Sequence, residues 1–244
     1  MKKTKLILLI ILLAIIGTCF LLYKITIKKD IEPVNKTSEI SIQDQKITDN
    51  TKPFKIDITY PQITGLDDFN QKSKAIIDKE LADFKTNSLA NDEAVKKVDP
   101  VDYAKFPREY DLNIGYDKGE IDENIVSVIF NVYNFEGGAH GASYFVPLNY
   151  NPKTKQEIKL ADLFAGQPDY LQKISDFCIK DLTKQLTDSG GIEMTDSSWI
   201  QRGAGPTAEN FQFFLINTNN IVFYFPQYQV AAGAAGDFKV TMPK

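Results

Sequence analysis

The sequence is poor in the residues that build metal and disulfide sites, with one histidine and two cysteines among 244 residues. Cys19 lies in an apolar run near the amino terminus, and Cys178 lies in a pattern typical of a helix. The remainder of the chain therefore has no second thiol for an internal disulfide. One histidine and one remote thiol also fall short of a structural zinc site. We expect neither a metal nor another cofactor.

Basic residues are too few for a surface that binds polyanions. Lysine and arginine together number 28 against 32 aspartates and glutamates, which gives a formal net charge of -4. Only Arg108 and Arg202 carry the forked guanidinium group that phosphates favour. Nucleic acid is therefore not expected as a partner. The acidic balance suits a basic protein partner, and it equally serves solubility.

Sequence motifs of common enzymes are missing. The chain contains no nucleophile elbow, no HExxH and no phosphate-binding glycine loop. The acidic pairs at 67–68 and 122–123 fall at a predicted helix start and a predicted turn, where solvated carboxylates are ordinary. Carboxylates that cleave sugar chains converge across a cleft, which spacing along the chain does not reveal. We predict no catalytic residues and a protein that is not an enzyme.

One long apolar run does occur, over residues 6–23, directly after the basic segment MKKTK. Its length suits a bilayer, and no small-residue cleavage pattern follows it. We predict a short cytoplasmic tail at 1–5 and a single-pass membrane anchor at 6–23. A short basic segment ahead of a first apolar run usually stays inside, so the rest of the chain is expected outside the cytoplasm.

Residues 24–52 are polar, have no aromatic residues and show no sustained period. They are typical of a flexible linker. The alternation in SEISIQ, residues 38–43, leaves an edge strand open as an alternative.

Residues 53–244 are predicted to form an extracytoplasmic domain, with a first part at 53–110 and a second at 111–244. The alternation in PFKIDITYPQI predicts a half-buried strand, and apolar residues between Leu66 and Phe84 predict an amphipathic helix. Residues 86–108 either extend this helix or cross irregularly, with Pro100 and Pro107 favouring a break.

The second part begins with three strand patterns, EYDLNIGYD, NIVSVIFNVYNF and ASYFVPLNYN. They predict an antiparallel meander whose middle strand is central. Asp162 is placed to cap or turn the chain, and a helix with a buried, inert Cys178 is predicted from near Pro168 to the SGG at 189–191. Two aromatic-rich strands around residues 218–220 and a last strand, DFKVTMP, complete an α+β domain with antiparallel sheet or sheets and two packed helices.

The segment EGGAHG joins two predicted strands and holds the single histidine, His140. Gly137, Gly138 and Gly141 are expected to supply positive φ angles at little steric cost. In the favoured interpretation the imidazole hydrogen-bonds backbone or a carboxylate and fixes the loop. Contact with a ligand and general base chemistry remain alternatives.

A second loop candidate is FYFPQYQVAAGAAG, in which Pro226 ends a strand and Tyr228 follows. A tyrosine on a stiff turn suits protein recognition, and a tyrosine folded back on the core is the alternative. Tyr144 and Trp199 are further aromatic residues that a glycan could contact.

Two long segments carry a family resemblance: NFEGGAHGASYFVPLNYNPKTKQEIKLADLF and ENFQFFLINTNNIVFYFPQYQVAAGAAGDFKVTMP. They resemble the extracytoplasmic domain of RsiV-type anti-sigma factors, and they are similar to the non-catalytic portion of PdaC-type peptidoglycan deacetylases. The resemblance implies a membrane-tethered domain that binds lysozyme, with Pro226 and Tyr228 as contacts. MKKTK is too short for the cytosolic sigma-binding segment of such factors, so we do not expect sigma-factor control.

The sequence therefore predicts a membrane-anchored, non-catalytic binding domain. Its expected partner is lysozyme or a related wall-cleaving enzyme, which it senses or sequesters. The alternative is an accessory module of the cell envelope that associates with peptidoglycan. The predicted binding residues are Pro226, Tyr228, His140 and Tyr144.

Overall fold

The computed structural model describes residues 40–106, 108–188 and 197–244. The predicted tail and anchor lie outside these residues, as do the first part of the linker and the SGG at 189–191. Within the described ranges, no helix combines the length and apolar character that a membrane crossing requires.

Six strands form the first sheet and follow one another in chain order. They are β1 (Ile42–Asp49), β2 (Phe54–Ile63), β3 (Tyr110–Ile121), β4 (Val126–Phe135), β5 (Ala142–Asn151) and β6 (Gln156–Glu157). The predicted meander of β3, β4 and β5 is confirmed as antiparallel. The pair β2–β3 is parallel instead, because a helix carries the chain back across the sheet between these strands.

Strand β1 corrects the predicted linker. All eight residues from Ile42 to Asp49 pair with β2 in antiparallel register. Ile42 and Ile47 also pack against the core beneath the sheet, so this segment gains both ladder hydrogen bonds and apolar contact. Residues 42–49 are an edge strand and not linker, and this strand shares only residues 42–43 with the SEISIQ segment of the alternative.

Four helices are present in the described ranges, where two were predicted. Helix α1 (Asp67–Val98) continues well past Phe84, which agrees with the alternative that residues 86–108 extend the helix, and Phe69, Ile77 and Phe84 are fully buried along one stripe. The chain then breaks at Pro100, as predicted, and the short helix α2 (Pro100–Lys105) begins there. The Asp99 side chain caps α2 by accepting a hydrogen bond from the backbone N–H of Asp102 at 2.9 Å.

Strand β4 is central, as predicted, and both of its faces are covered. Its even-numbered residues Val126, Val128 and Phe130 lie in the core with α1. On the opposite face Ile129 packs in a small cluster with Leu215 and Tyr224 of the second sheet. Because the side chains of β4 alternate between its two faces, this strand packs against both halves of the domain and joins them.

The second sheet has the order β7 (Phe214–Ile216), β8 (Asn220–Phe225) and β9 (Phe238–Pro243). Helices α3 (Tyr170–Asp188) and α4 (Ser197–Gly203) contribute to its core, which includes Cys178. Burial raises the pKa of the Cys178 thiol to about 12, as expected of an inert core thiol. The α+β class is confirmed, and the sheets are antiparallel except for the parallel pair β2–β3.

A polar joint connects the sheets. The Ser127 hydroxyl donates to Asn149 Oδ1 at 2.6 Å and accepts the backbone N–H of Ile216 at 2.7 Å. Asn149 in turn donates through Nδ2 to the carbonyl of Phe214 at 3.0 Å. Ser127 and Asn149 are buried, so the joint satisfies backbone groups of β7 that have no strand partner on that side.

Candidate functional site

The Tyr228 loop, residues 226–236, connects β8 to β9 and opens with a tight turn. The backbone N–H of Gln229 donates to the carbonyl of Pro226 at 3.0 Å. Tyr228 is the third residue of this turn and has a φ of 72°. Glycine or asparagine normally takes this position, because a Cβ crowds the backbone at positive φ. The surrounding structure must therefore hold Tyr228 in place.

Helix α4 and the segment after it hold the turn from outside. Trp199 donates its indole N–H to the carbonyl of Tyr228 at 2.9 Å. Gln229 donates through Nε2 to the carbonyls of Gly203 and Asn210 at 2.7 and 3.0 Å. A Cβ on Gly203 would lie 1.9 Å from the Gln229 carbonyl oxygen, so only glycine allows this approach. The turn is thus a rigid feature of the surface.

The ring of Tyr228 rests on the loop itself. A Cβ on Gly233 would lie 2.2 to 2.4 Å from two ring carbons and the hydroxyl oxygen of Tyr228, so the ring packs directly over that glycine. Gln227 hydrogen-bonds the Gly233 carbonyl and closes the loop. Tyr228 remains 53% exposed. The tyrosine is therefore fixed at the surface, not folded into the core.

The EGGAHG loop is held by α1. Asn91 of α1 donates to the carbonyl of Glu136 at 2.9 Å, and Gly137 and Gly138 have φ angles of 94° and 130°. His140 is exposed, and its Nδ1 donates to the neighbouring carbonyl of Gly141 at 2.9 Å. The imidazole thus contacts backbone within its own loop.

Gly141 serves a different purpose from the one predicted. It is not among the glycines with positive φ. A Cβ on Gly141 would lie 2.5 Å from Tyr133 Oη and 2.6 Å from two ring carbons. A side chain at 141 would displace the Tyr133 ring, because that ring lies against the Gly141 backbone.

Tyr144 points toward α1. Its hydroxyl donates to Glu80 of that helix, and the residue packs against the first core. Burial raises the pKa of Tyr144, and the hydrogen bond to Glu80 raises it further. The predicted contact residues therefore form two groups, one tied to α1 and one tied to α4.

Asp162 lies in a 3₁₀ helix, Leu160–Phe164. Its carboxylate accepts the backbone N–H of Lys159 at 2.8 Å, and its own N–H donates to the Lys159 carbonyl at 3.0 Å. This reciprocal pair turns the chain between β6 and α3, remote in sequence from either loop.

Sequence reasoning missed a buried carboxylate near the end of α1. Asp92 is 6% exposed and accepts hydrogen bonds from the hydroxyls of Tyr103 and Tyr110, both at 2.7 Å. Lys96 Nζ lies 2.7 Å from its other oxygen. Burial opposes the charge, but these three donors outweigh it and lower the pKa of Asp92 to about 2. The i,i+4 spacing of Asp92 and Lys96 was the available sequence signal.

In the part of the chain that the structure describes, no three His, Cys, Asp or Glu side chains form a group that could hold a metal ion. Asp92 and Tyr144, whose pKa values are shifted, each form hydrogen bonds with partners within the fold. The exposed Tyr228 on its rigid turn is the feature best suited to contact another molecule.

Two family models match separate parts of the chain. Residues 47–143 match the family described as deacetylase PdaC, and residues 161–244 match the family described as a protein of unknown function, DUF3298. The EGGAHG loop falls in the first match and the Tyr228 loop in the second. The predicted similarity to PdaC-type deacetylases is thereby confirmed, and the likeness to RsiV-type anti-sigma factors stays a prediction.

Among characterised proteins, the chain is similar to the peptidoglycan-N-acetylmuramic acid deacetylase PdaC of Bacillus subtilis, with 27% identity over 198 residues. That alignment covers 81% of this chain and 39% of the deacetylase. The chain is 25% identical to the esterase Rv3036c of Mycobacterium tuberculosis over 53% of each protein. It thus spans less than two thirds of the length of these relatives.

Two solved structures of DUF3298 proteins share the fold. The protein from Bacteroides fragilis superimposes with a TM-score of 0.60 at 16% identity, and it covers 84% of this chain and 90% of its own. The protein from Pseudomonas aeruginosa gives a TM-score of 0.55 at 13% identity with the same coverage. At such identities the likeness concerns the fold alone.

Proposed function

We propose that this chain is a non-catalytic binding module of the bacterial cell envelope and that the Tyr228 loop contacts a protein partner, lysozyme or a related wall-cleaving enzyme. In this proposal residues 6–23 anchor the module in the membrane and the described domain lies outside the cytoplasm. The observation that carries it is the exposed Tyr228, held at positive φ by contacts with α4.

Rigidity is what makes this tyrosine suitable for binding. A side chain that is already fixed loses little conformational freedom when a partner covers it. Tyrosine also contributes a large apolar face together with a hydroxyl, which is why it is frequent at the centres of interfaces. Backbone strain at a surface position persists only where its surroundings hold it. Here the contacts with α4 hold the turn that presents an exposed tyrosine ring. The formal charge of -4 would further speed encounter with a basic enzyme.

The test is calorimetric titration of the full chain, purified in detergent, with lysozyme. A one-to-one complex is expected, and Tyr228→Ala should weaken it by roughly 10- to 100-fold, the usual range for an interface anchor. Tyr133→Ala is the matched control, because Tyr133 is also an exposed tyrosine (41%) but lies on the EGGAHG side. Absence of binding at tens of micromolar, or equal losses in both variants, would exclude this role for the loop.

A second candidate function is association with peptidoglycan itself. The observation that favours it is the 27% identity, over 81% of this chain, with a deacetylase named for peptidoglycan N-acetylmuramic acid. Sedimentation of the full chain with purified cell-wall sacculi tests it, and retention that survives Tyr228→Ala would favour wall over protein as the target. Release of acetate or sugar from the sacculi would instead show that the chain is an enzyme.

A further inference from the structure

The outer face of the first sheet is only partly covered by the second sheet. On β3, Leu112 and Ile114 face α1, so Asn113 between them and Gly115 after them face the other way. In register with them, Asn113 lies beside Tyr133, and Tyr133 lies beside Ser143.

The covered part of this face begins one row further along. Gly115 is beside Asn131, which is beside Phe145, and the Phe145 ring packs edge-on against Tyr224 of β8 with 5.0 Å between centroids. A groove of about 340 Å³ lies at this boundary, and Asp237, just before β9, contributes to its lining. Its volume falls in the range of small-ligand sites.

The floor of the groove is open at Gly115. A Cβ built on this residue would meet no atom within 4 Å. Packing therefore does not demand glycine there, and a glycine inside a strand often marks a place where another molecule approaches the backbone.

An aromatic ring stands beside the floor in a fixed position. Tyr133 is 41% exposed, and its ring lies against Gly141, where a Cβ would collide at 2.5 Å. The electron-rich face of such a ring attracts the weakly positive C–H groups of a sugar. Because the backbone of Gly141 already positions the ring, binding would cost little side-chain freedom.

The polar groups of the groove are uncharged with one exception. Asn113 and Ser143 offer amide and hydroxyl groups that both donate and accept hydrogen bonds, and Asp237 offers a carboxylate. The Asn131 side chain also lines the groove but already hydrogen-bonds Asp117. Among the described residues that line the groove there is no lysine or arginine, so an anionic ligand would find no counter-charge. A single carboxylate also falls short of the pair that glycoside hydrolysis requires.

We infer that this groove binds an uncharged stretch of an N-acetylated hexosamine chain without cleaving it. Hydroxyl and acetamido groups match the amides and carboxylate, and the sugar ring matches Tyr133. The inference rests on the proposed cell-envelope role and assigns the sugar-binding site to a surface other than the Tyr228 loop.

The probe is tetra-N-acetylchitotetraose, titrated calorimetrically into the full chain in detergent. A dissociation constant between about 10 µM and 1 mM is expected for a shallow groove of this kind. The affinity should change little between low and high salt, because the ligand carries no charge. Tyr133→Ala should weaken binding at least about tenfold.

Gly115→Val provides the second variant, since it fills the floor where the structure leaves space and valine suits a strand. It should abolish binding of the tetrasaccharide while leaving the unfolding midpoint near that of the parent. If Tyr133→Ala fails to fold, Gly115→Val alone decides the test. Tyr228→Ala is the matched control and should bind the tetrasaccharide normally. Binding unchanged in Gly115→Val, or no binding at about 5 mM, would overturn the inference.

Retention on sacculi distinguishes the inference about the groove from the proposed cell-envelope role on which it rests. Sacculi that retain the chain while the tetrasaccharide does not bind would overturn the groove as the sugar site and leave the cell-envelope role standing. Failure of both would overturn the groove and the association with peptidoglycan together, and the proposed contact with lysozyme would still be decided by its own titration.

Discussion

The indole N–H of Trp199 donates to the carbonyl of Tyr228 at 2.9 Å, which ties α4 to the turn residue that has a positive φ. Removing this one hydrogen bond should loosen the loop without removing an aromatic ring. Trp199→Phe is expected to lower the free energy of unfolding by about 1 kcal/mol and to weaken binding of lysozyme through loss of rigidity. Urea unfolding and calorimetry measure the two effects. Unchanged affinity alongside lowered stability would mean that the anchor serves the fold alone.

Strain at Tyr228 can be isolated with a pair of substitutions. Tyr228→Ala and Tyr228→Gly remove the same ring and its contact with Gly233, but only glycine, which has no Cβ, accepts a φ of 72° without steric crowding. The glycine variant should therefore be more stable than the alanine variant by about 1 kcal/mol. Both should lose binding of lysozyme. The same pair of substitutions at Tyr133, which has no positive φ, should show alanine as the more stable.

Asp92 makes stability depend on acidity. Its pKa is about 2 in the folded protein, below the ordinary 3.8. A carboxyl with a lowered folded pKa stabilises the fold above its unfolded pKa, and this contribution is lost as the pH falls from about 4 toward 2. Asp92→Asn should lower the free energy of unfolding at pH 7 by roughly 2 kcal/mol, and the difference from the parent should shrink toward pH 2.

The comparison for this effect is Asp83→Asn. Asp83 forms an i,i+4 pair with Lys79 at 2.6 Å on the exposed side of α1, where solvent screens the interaction. Urea unfolding at several pH values should show little change in this variant. A pH dependence that is the same in both variants would contradict the assignment to Asp92.

The joint between the sheets should be sensitive to loss of one hydroxyl. Ser127→Ala leaves the buried N–H of Ile216 and the Oδ1 of Asn149 without the Ser127 hydroxyl, which should cost about 1–3 kcal/mol. Thermal unfolding measures this, with the exposed Ser143→Ala as control. A single cooperative transition that shifts downward is expected, because the second sheet depends on the joint. Equal midpoints for parent and Ser127→Ala would show that the sheets are held together by apolar contact alone.

The sequence predicted best the elements whose own apolar residues show how they are buried. Strand β4 has buried residues on both faces, so its central place could be predicted from its near-continuous apolar run. Strand β1 could not be predicted in the same way, because its residues are mostly polar and its stability comes from pairing with β2. The far end of α1 has few apolar residues, and its order depends on the contacts of Asp92 with Tyr103 and Tyr110.

The candidate site was predicted by residue type and not by geometry. Tyr228 could be singled out as an aromatic residue on a turn, but its positive φ depends on contacts that are distant in sequence. Trp199 lies 29 residues earlier in the chain, and Gln229 hydrogen-bonds carbonyls that are also far away along the chain. The role of Gly141 depends on Tyr133 across the strand pair. Such contacts form only when the sheet has formed, and no local pattern encodes them.

Strand β1 also determines how this domain would respond to a mechanical load. The chain enters the sheet at this edge strand, and its eight residues each pair with one residue of β2. Tension applied along the strand axis loads all eight pairs in shear at once. Tension applied across the sheet opens them one after another, starting from Ile42. A force transmitted through residue 40 would thus be resisted strongly in one direction and weakly in the other.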